Sequence, residues 1–148
     1  MPEQILTLSV PTIFSWETIL GYLTRGNNEI MYKVVEDKVR RAFLIDKQIY
    51  LCEIAYSDSL KRLQIRILNQ ISWTSSSQEH ISQFVSDWFD LARSLVEFYK
   101  LASSDSILNK LVNDFYGLRM VGMPEFYEAI TWGILGQQIN LAYTYTLK

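Results

Sequence analysis

Three neighbouring pairs of carboxylates, Glu36/Asp37, Asp87/Asp90 and Glu125/Glu128, are the first residues whose types suggest chemistry. Two carboxyl groups held close together can divide the roles of general acid and base, as in glycoside hydrolysis, or can ligate a divalent cation. Nothing else in the sequence converges on these pairs. Asp87 and Asp90 fall on the polar side of an amphipathic helix, and all three pairs are expected to be solvated faces. His80, the one histidine, stands beside Glu79 at a helix start without a serine or cysteine partner, which makes it a surface residue rather than a general base. Cys52, the one cysteine, alternates with Tyr50 and Ile54 and is read as a small core residue. With one Cys and one His the chain cannot form a disulfide framework, a zinc cluster or any site that needs two histidines. Neither a phosphate-binding glycine loop nor a nucleophile elbow is present.

Two features are left. Phe14-Ser15-Trp16 followed by Leu20-Gly21-Tyr22-Leu23 is, on residue types, a core helix with aromatic anchors. Ile134-Leu135-Gly136-Gln137-Gln138-Ile139-Asn140 places two adjacent amides at a break between apolar helices. Buried, those amides would demand several hydrogen bonds; exposed, they form a polar tip held by rigid helices. A helix–helix turn and a binding site both fit, the turn being the simpler.

The elements that must carry these residues divide into two textures. Up to Ser72 apolar and polar residues mostly alternate, the mark of half-buried strands. Strands are expected over 4–10, 30–35, 39–46, 48–56 and 61–68, with Glu36-Asp37-Lys38 and Asp46-Lys47 as hairpin breaks. In 61–68, Leu63, Ile65 and Ile67 face one way and Arg62, Gln64 and Arg66 the other, so the sheet is antiparallel and covered on one side. Ser15 caps a first helix whose inward stripe is Trp16, Ile19, Leu20 and Leu23, and Gly26-Asn27-Asn28 stops it. The run Thr74-Ser75-Ser76-Ser77 looks like linker punctuation, with Ser77 the cap of a helix buried through Ile81, Phe84, Val85, Trp88 and Phe89. Shorter helices follow at 94–101 and 105–114, and Pro124 suits the first position of a helix carrying Tyr127, Ile130 and Ile134 on one stripe. A last apolar stretch runs from Ile139 to Lys148.

Composition bounds what such a chain can be. Of 148 residues, 49% are hydrophobic and 14% aromatic, enough for a sizeable core and too many for disorder or low complexity. Lys and Arg number 14 against 16 Asp and Glu, a net charge of -2 that argues against a self-sufficient nucleic-acid binder. The start, Met1-Pro2-Glu3-Gln4, shows no signal-peptide pattern, and Gln137, Gln138 and Asn140 interrupt the most hydrophobic segment before it reaches membrane-spanning length. The expectation is a cytoplasmic protein with no membrane association.

Taken in order, these residues resemble the alkylation-repair DNA glycosylases of the 3-methyladenine DNA glycosylase II type, within the helix-hairpin-helix superfamily. Phe14-Ser15-Trp16 and Leu20-Gly21-Tyr22-Leu23 resemble the family's opening helix. Trp88-Phe89-Asp90-Leu91, then Phe98-Tyr99, Asp105, Leu108 and Leu111, resemble the passage from its first domain into its second. Gly117-Leu118-Arg119, Phe126 and Ile134-Leu135-Gly136-Gln137-Gln138 resemble the segment leading to its DNA-probing loop. The resemblance covers nearly the whole chain. It implies an α+β domain over 1–91, an antiparallel sheet with helices similar to a TATA-binding-protein repeat. Residues 92–148 would then be the first helices of an all-α glycosylase domain.

The resemblance also implies a chemistry: extrusion of an alkylated purine from damaged double-stranded DNA and hydrolysis of its N-glycosidic bond, with neither cofactor nor metal. Alkylated purines are electron-poor and often cationic, so an aromatic pocket attracts them by stacking and cation–π contact. Tyr22 matches the position whose aromatic ring lines that pocket. Gly136, Gln137 and Gln138 match the loop that wedges into the gap left by the extruded base, Gln138 standing where some members carry an apolar wedge. Arg25, Arg40 and Arg119 are either phosphate contacts or plain surface charges. The family's catalytic aspartate lies beyond the loop, and nothing acidic follows Asn140 here. The chain is therefore expected to be an N-terminal fragment or truncated product, inactive alone. Helices around Tyr127–Ile134 and Ile139–Leu147 would expose apolar faces and favour a homodimer. The competing reading is a non-catalytic α+β interaction or ligand-binding module, with the amides an ordinary turn and the aromatics core.

Overall fold

The computed structural model describes residues 5–25 and 29–147. Among them the strands β1 (Leu6–Ser9), β2 (Tyr32–Val35), β3 (Lys38–Ile45), β4 (Gln48–Ser57) and β5 (Arg62–Ile67) form one sheet in the order β1-β5-β4-β3-β2. Every neighbouring pair is antiparallel, as the alternation predicts. At the β3–β4 connection Asp46 and Lys47 both take positive φ (50° and 63°), the two-residue hairpin geometry whose twist matches that of the strands. Register follows from the turns, so Val39, Phe43 and Ile45 share one face with Tyr50, Cys52, Ile54, Leu63 and Ile65.

Two helices cover that face. Helix α1 (Trp16–Leu23) opens on Ser15, whose hydroxyl accepts the Thr18 N–H at 3.2 Å, and it buries Trp16, Ile19 and Leu23. The Trp16 indole donates to the Asp37 carbonyl at 2.7 Å, so the apolar ring enters the core with its one polar atom met by the β2–β3 turn. Helix α2 (Ser75–Trp88) packs Ile81, Phe84, Val85 and Trp88 inward. Its start corrects the sequence reading in two ways. The serine run is the first turn of the helix rather than a linker, and the cap is Thr74. Ser77 is the third helical residue of a capping box, its hydroxyl accepting the Thr74 N–H at 2.9 Å, and it is fully buried. The expected stop at Gly26-Asn27-Asn28 lies outside the described residues, as do Gln4 at the first strand and Lys148 at the end.

Beyond α2 run α3 (Val96–Ala102), α4 (Ser106–Asp114), α5 (Phe126–Leu135) and α6 (Leu141–Leu147). Asp105 caps α4 by accepting the N–H groups of Ile107 and Leu108. Pro124 is not the first residue of α5: the helix begins at Phe126, and Glu125 is its N-cap, accepting the Glu128 N–H at 3.0 Å. A carboxylate in that position satisfies an orphan donor and faces the positive end of the helix dipole, which outweighs the preference for proline at the start.

The other face of the sheet lacks a covering layer among the described residues, and a charge cluster crosses it. Glu53 on β4 stands directly opposite Arg40 on β3 and Arg66 on β5. Its two carboxylate oxygens accept from Arg40 at 2.7 Å and Arg66 at 2.8 Å, with the Lys38 ammonium at 3.7 Å, so three strands are stapled through one carboxylate that is only 2% exposed. Burial pushes the Glu53 carboxyl up, but the hydrogen bonds from Arg40 and Arg66 and the nearby positive charges outweigh it and hold the group below the usual carboxylate range. In the unfolded chain the group titrates at about 4.3. The folded state therefore binds fewer protons in that window. The staple contributes fully above the unfolded value and is lost as the pH falls through the lowered folded one. The Glu53→Gln variant should be less stable than the parent at neutral pH, with the gap in melting temperature closing as the pH is taken down through this range. A gap that stays constant with pH would contradict the staple.

Candidate functional site

The helices after Leu91 are joined to the sheet and its covering helices by buried polar contacts. Helix α2 ends at Phe89 with Asp90 in the left-handed region (φ 52°), the Leu91 N–H returning to the Ser86 carbonyl at 2.9 Å and the Asp90 N–H to Asp87 at 3.3 Å. This is a Schellman turn with aspartate in the place that glycine usually takes. The Asp90 carbonyl so exposed accepts from the Arg119 guanidinium, Nε at 3.1 Å, while other guanidinium nitrogens reach the Arg93 and Ile13 carbonyls. The carboxylate of Asp90 lies 3.4 Å from Arg119 and 3.2 Å from Arg93. Two expectations fail here. Asp90 is not on a solvated face, although its neighbour Asp87 is exposed. Arg119, only 3% exposed, is neither a phosphate contact nor a surface charge but a clamp over the end of α2. Two residues earlier, Gly117 takes φ +79° and its carbonyl accepts the Ser15 N–H at 2.9 Å. A Cβ there would lie 2.5 Å from that nitrogen, so only glycine lets the chain come this close to the start of α1.

A second buried guanidinium fixes α5. Arg41 occupies a core-facing position of β3 between Val39 and Phe43 and is 7% exposed. It stacks over Phe84 at 4.6 Å and Trp88 at 5.4 Å from the ring centroids, and its terminal nitrogen meets Glu128 of α5 at 3.1 Å. Glu128 is 9% exposed, so the pair Glu125/Glu128 is not a solvated face either: one carboxylate caps the helix and the other closes an interior ion pair. Breaking a pair of this kind from one side costs roughly 3–5 kcal/mol because the remaining charge is left buried and unmet.

Between these elements lies a cavity of about 320 Å³, walled by Tyr22 from α1, Tyr32 from β2, Arg41 from β3, Trp88 from α2, Glu128 and Trp132 from α5, and Tyr145 from α6. Trp132 and Tyr145 meet edge to face, centroids 4.8 Å apart at 82°. Tyr22, at the edge of the buried stripe of α1, is 37% exposed and therefore not a core tyrosine; the Arg25 guanidinium lies 3.4 Å over its ring centroid. Tyr32 donates to the Leu23 carbonyl at 3.2 Å, and burial, helped by Glu29, pushes its phenol up to about 12, so it stays a neutral donor at physiological pH. The walls hold π faces and a neutralised ion pair. Among the described residues no nucleophile is paired with a base there, and the wall is mainly aromatic.

Gly136, Gln137 and Gln138 form the turn between α5 and α6, all three exposed, with Gln138 at φ 61°. They make the polar tip that an exposed amide pair implies. They do not line the cavity, but the helices on either side of them do, through Trp132, Leu141 and Tyr145. Arg40 is engaged by Glu53 on the far face of the sheet and Arg25 by Tyr22. His80 is exposed, and Cys52 is fully buried, its thiol pushed up to about 12 by burial and so unreactive. Among the described residues no three His, Cys, Asp or Glu side chains gather as metal ligands would, and no helix is long and apolar enough to cross a membrane. A second concavity, about 530 Å³ and mainly apolar, opens between α3, α4 and the segment 115–121, lined by Phe98, Leu108, Leu111 and Phe115. On α5, Tyr127 and Ile134 are turned outward.

The family model for the 8-oxoguanine DNA glycosylase N-terminal domain matches residues 7–130. A DNA-3-methyladenine glycosylase of Bacillus subtilis (strain 168) is 36% identical over 147 residues, 99% of this chain and 48% of that protein. The 3-methyladenine DNA-glycosylase from Archaeoglobus fulgidus superposes with a TM-score of 0.75 at 18% identity, over 94% of this chain and 46% of that one. The apo form of the Clostridium acetobutylicum 8-oxoguanine glycosylase/lyase gives 0.54 at 17% identity, over 89% and 40%. That enzyme has also been solved with double-stranded DNA containing cytosine opposite 8-oxoG. The chain thus spans about half the length of the relatives it matches.

Proposed function

The chain belongs to the family of the 8-oxoguanine DNA glycosylase N-terminal domain, and on that premise we propose that it supplies the front half of a base-excision repair enzyme that extrudes alkylated purines from DNA. Alkylated rather than oxidised purines are favoured because the relative similar at the level of sequence, at 36% identity, is named a DNA-3-methyladenine glycosylase. One observation in the structure carries the reading: the Tyr22 ring faces an open aromatic cavity and already holds a planar cation, the Arg25 guanidinium, on its π face. A methylated purine is likewise planar and electron-poor, and it would take the same ring face as Arg25 swings away. Glu128, the carboxylate that α5 brings to the cavity wall, is held in an ion pair with Arg41, which supports a role for residues 1–148 in binding and positioning the base rather than in hydrolysis. The exposed turn Gly136-Gln137-Gln138 enters the gap in the duplex, with Gln138, held at positive φ, as the filling side chain. The division into 1–91 and 92–148 then separates a supporting α+β unit from the helices that face DNA, and the cytoplasm is the site of action.

Titration with 7-methylguanosine, a cationic nucleoside, should quench the tryptophan fluorescence of the chain. Tyr22→Ala should weaken that binding by roughly 3- to 30-fold, the range of a partly desolvated cation–π contact. In parallel, the 148-residue chain should release no 3-methyladenine from methylated duplex DNA above spontaneous loss. Quenching that is indifferent to Tyr22, or robust release by the chain alone, would overturn the reading. The outward Tyr127 and Ile134 of α5 further lead us to propose a homodimer through the C-terminal helices. Sedimentation should show mass rising with concentration, and Ile134→Glu should return the monomer; a concentration-independent monomer would remove the dimer from the account.

A further inference from the structure

We propose that the uncovered face of the sheet is a docking surface for a protein segment that carries carboxylates beside apolar side chains. A strand covered on one face alternates, whereas a continuous apolar run is the pattern of a strand covered on both. The paired ends of β3 and β4 carry such runs, Ala42-Phe43-Leu44-Ile45 and Ile49-Tyr50-Leu51-Cys52. Phe43, Ile45, Tyr50 and Cys52 are accounted for by the core. Their alternates are not: Leu44 and Ile49 stand directly opposite each other and are 72% and 61% exposed.

The next rungs of the same face turn positive. Lys33, Arg40, Glu53 and Arg66 align in register across β2, β3, β4 and β5, with Lys38 close by. Lys33, Lys38 and Arg40 outnumber Glu53, the carboxylate of this row, on a chain whose net charge is -2, so the row is locally cationic. Apolar rungs beside a cationic row on one pleated plane fit a segment whose apolar stripe is flanked by Asp or Glu. A nucleic-acid backbone would satisfy the cations and leave Leu44 and Ile49 uncovered against phosphate. A second copy of this chain stacked face to face would bring the cationic rows together. The face is also separate from the cavity at the junction, because Arg41 and Tyr32, which line that cavity, point to the opposite side of the sheet. A partner could therefore dock while DNA is bound.

The test is titration of the isotopically labelled chain with an amphipathic peptide bearing leucines at helical i, i+4 spacing flanked by glutamates, read by amide chemical shifts. Shifts should be confined to the Leu44–Ile49 rungs and the row through Arg40 and Arg66. Leu44→Ser and Ile49→Ser, both at exposed positions, should leave the melting temperature unchanged and weaken binding by about tenfold each, while Lys33→Glu, which spares the Glu53 staple, should weaken it several-fold. No shifts on this face, equal binding of a peptide with lysines in place of the glutamates, or a response to undamaged duplex DNA or phosphatidylglycerol vesicles in place of the peptide would each overturn the proposal. So would concentration-dependent self-association that Leu44→Ser abolishes.

Discussion

A guanidinium cannot sit in an apolar interior unmet, and the junction of this molecule is organised around that constraint twice. Arg119 closes over the end of α2 by donating to main-chain carbonyls that the Schellman turn and the segment before α1 leave bare. Arg41 projects from the core face of β3 into a ring of aromatic side chains and has its carboxylate delivered by α5, 87 residues further along the chain. Neither charge is neutralised by its own element. Each is satisfied only when the helices beyond Leu91 are seated on the sheet and its covering helices, so folding of one part fixes the position of the other. The concavity bounded by Tyr22, Trp132 and Tyr145 exists because α5 is held in this place.

The sheet does different work on its two sides. Its inner face is a conventional core of Ile, Val, Phe and Tyr, into which Arg41 intrudes at the one place where another layer must be gripped. Its outer face is stapled by Glu53, whose partners on both neighbouring strands spare the sheet the need for a second apolar layer near β2 and β5. Towards the β3–β4 hairpin the staple gives way to leucine and isoleucine, and there the sheet is open. The aromatic concavity thus lies on one side of the sheet and the open plane on the other.

Much of this was legible in the residue order. Tight polar breaks at Glu36-Asp37 and Asp46-Lys47 left the strands no freedom of register, so alternation alone located the sheet, and the stripes of α1 and α2 named their buried faces correctly. The misreadings share a cause. Thr74 and Glu125 cap their helices where local preference points instead to a serine three residues on and to a proline just before, and the hydrogen bonds that decide between such candidates are not visible in preference. Asp90, in the turn just past α2, and Glu128, off the expected stripe of α5, fall where a helical wheel points to water; their partners, Arg119 and Arg41, are distant in sequence. Arg41 did carry a signal, since it shares the parity of Val39, Phe43 and Ile45 and must therefore point inward. Trp132 and Tyr145 left none, because an apolar ring lining a cavity and one filling a core look alike as letters. Tyr22 and the 136–138 turn stand out by residue type and draw their expected roles from the resemblance; the first lies on an open aromatic wall and the second at an exposed tip.

A thermodynamic cycle on Arg41 and Glu128 reaches the core of the account, because it separates an interaction that joins two layers from two residues that merely pack well. Unfolding of the parent chain, Arg41→Met, Glu128→Leu and the double variant should show each single change costing about 3–5 kcal/mol and the double change no more than either, a coupling of about 3 kcal/mol or greater. Strict additivity of the two single changes would mean that the pair does not hold α5 to the sheet, and that the concavity must be formed by something else.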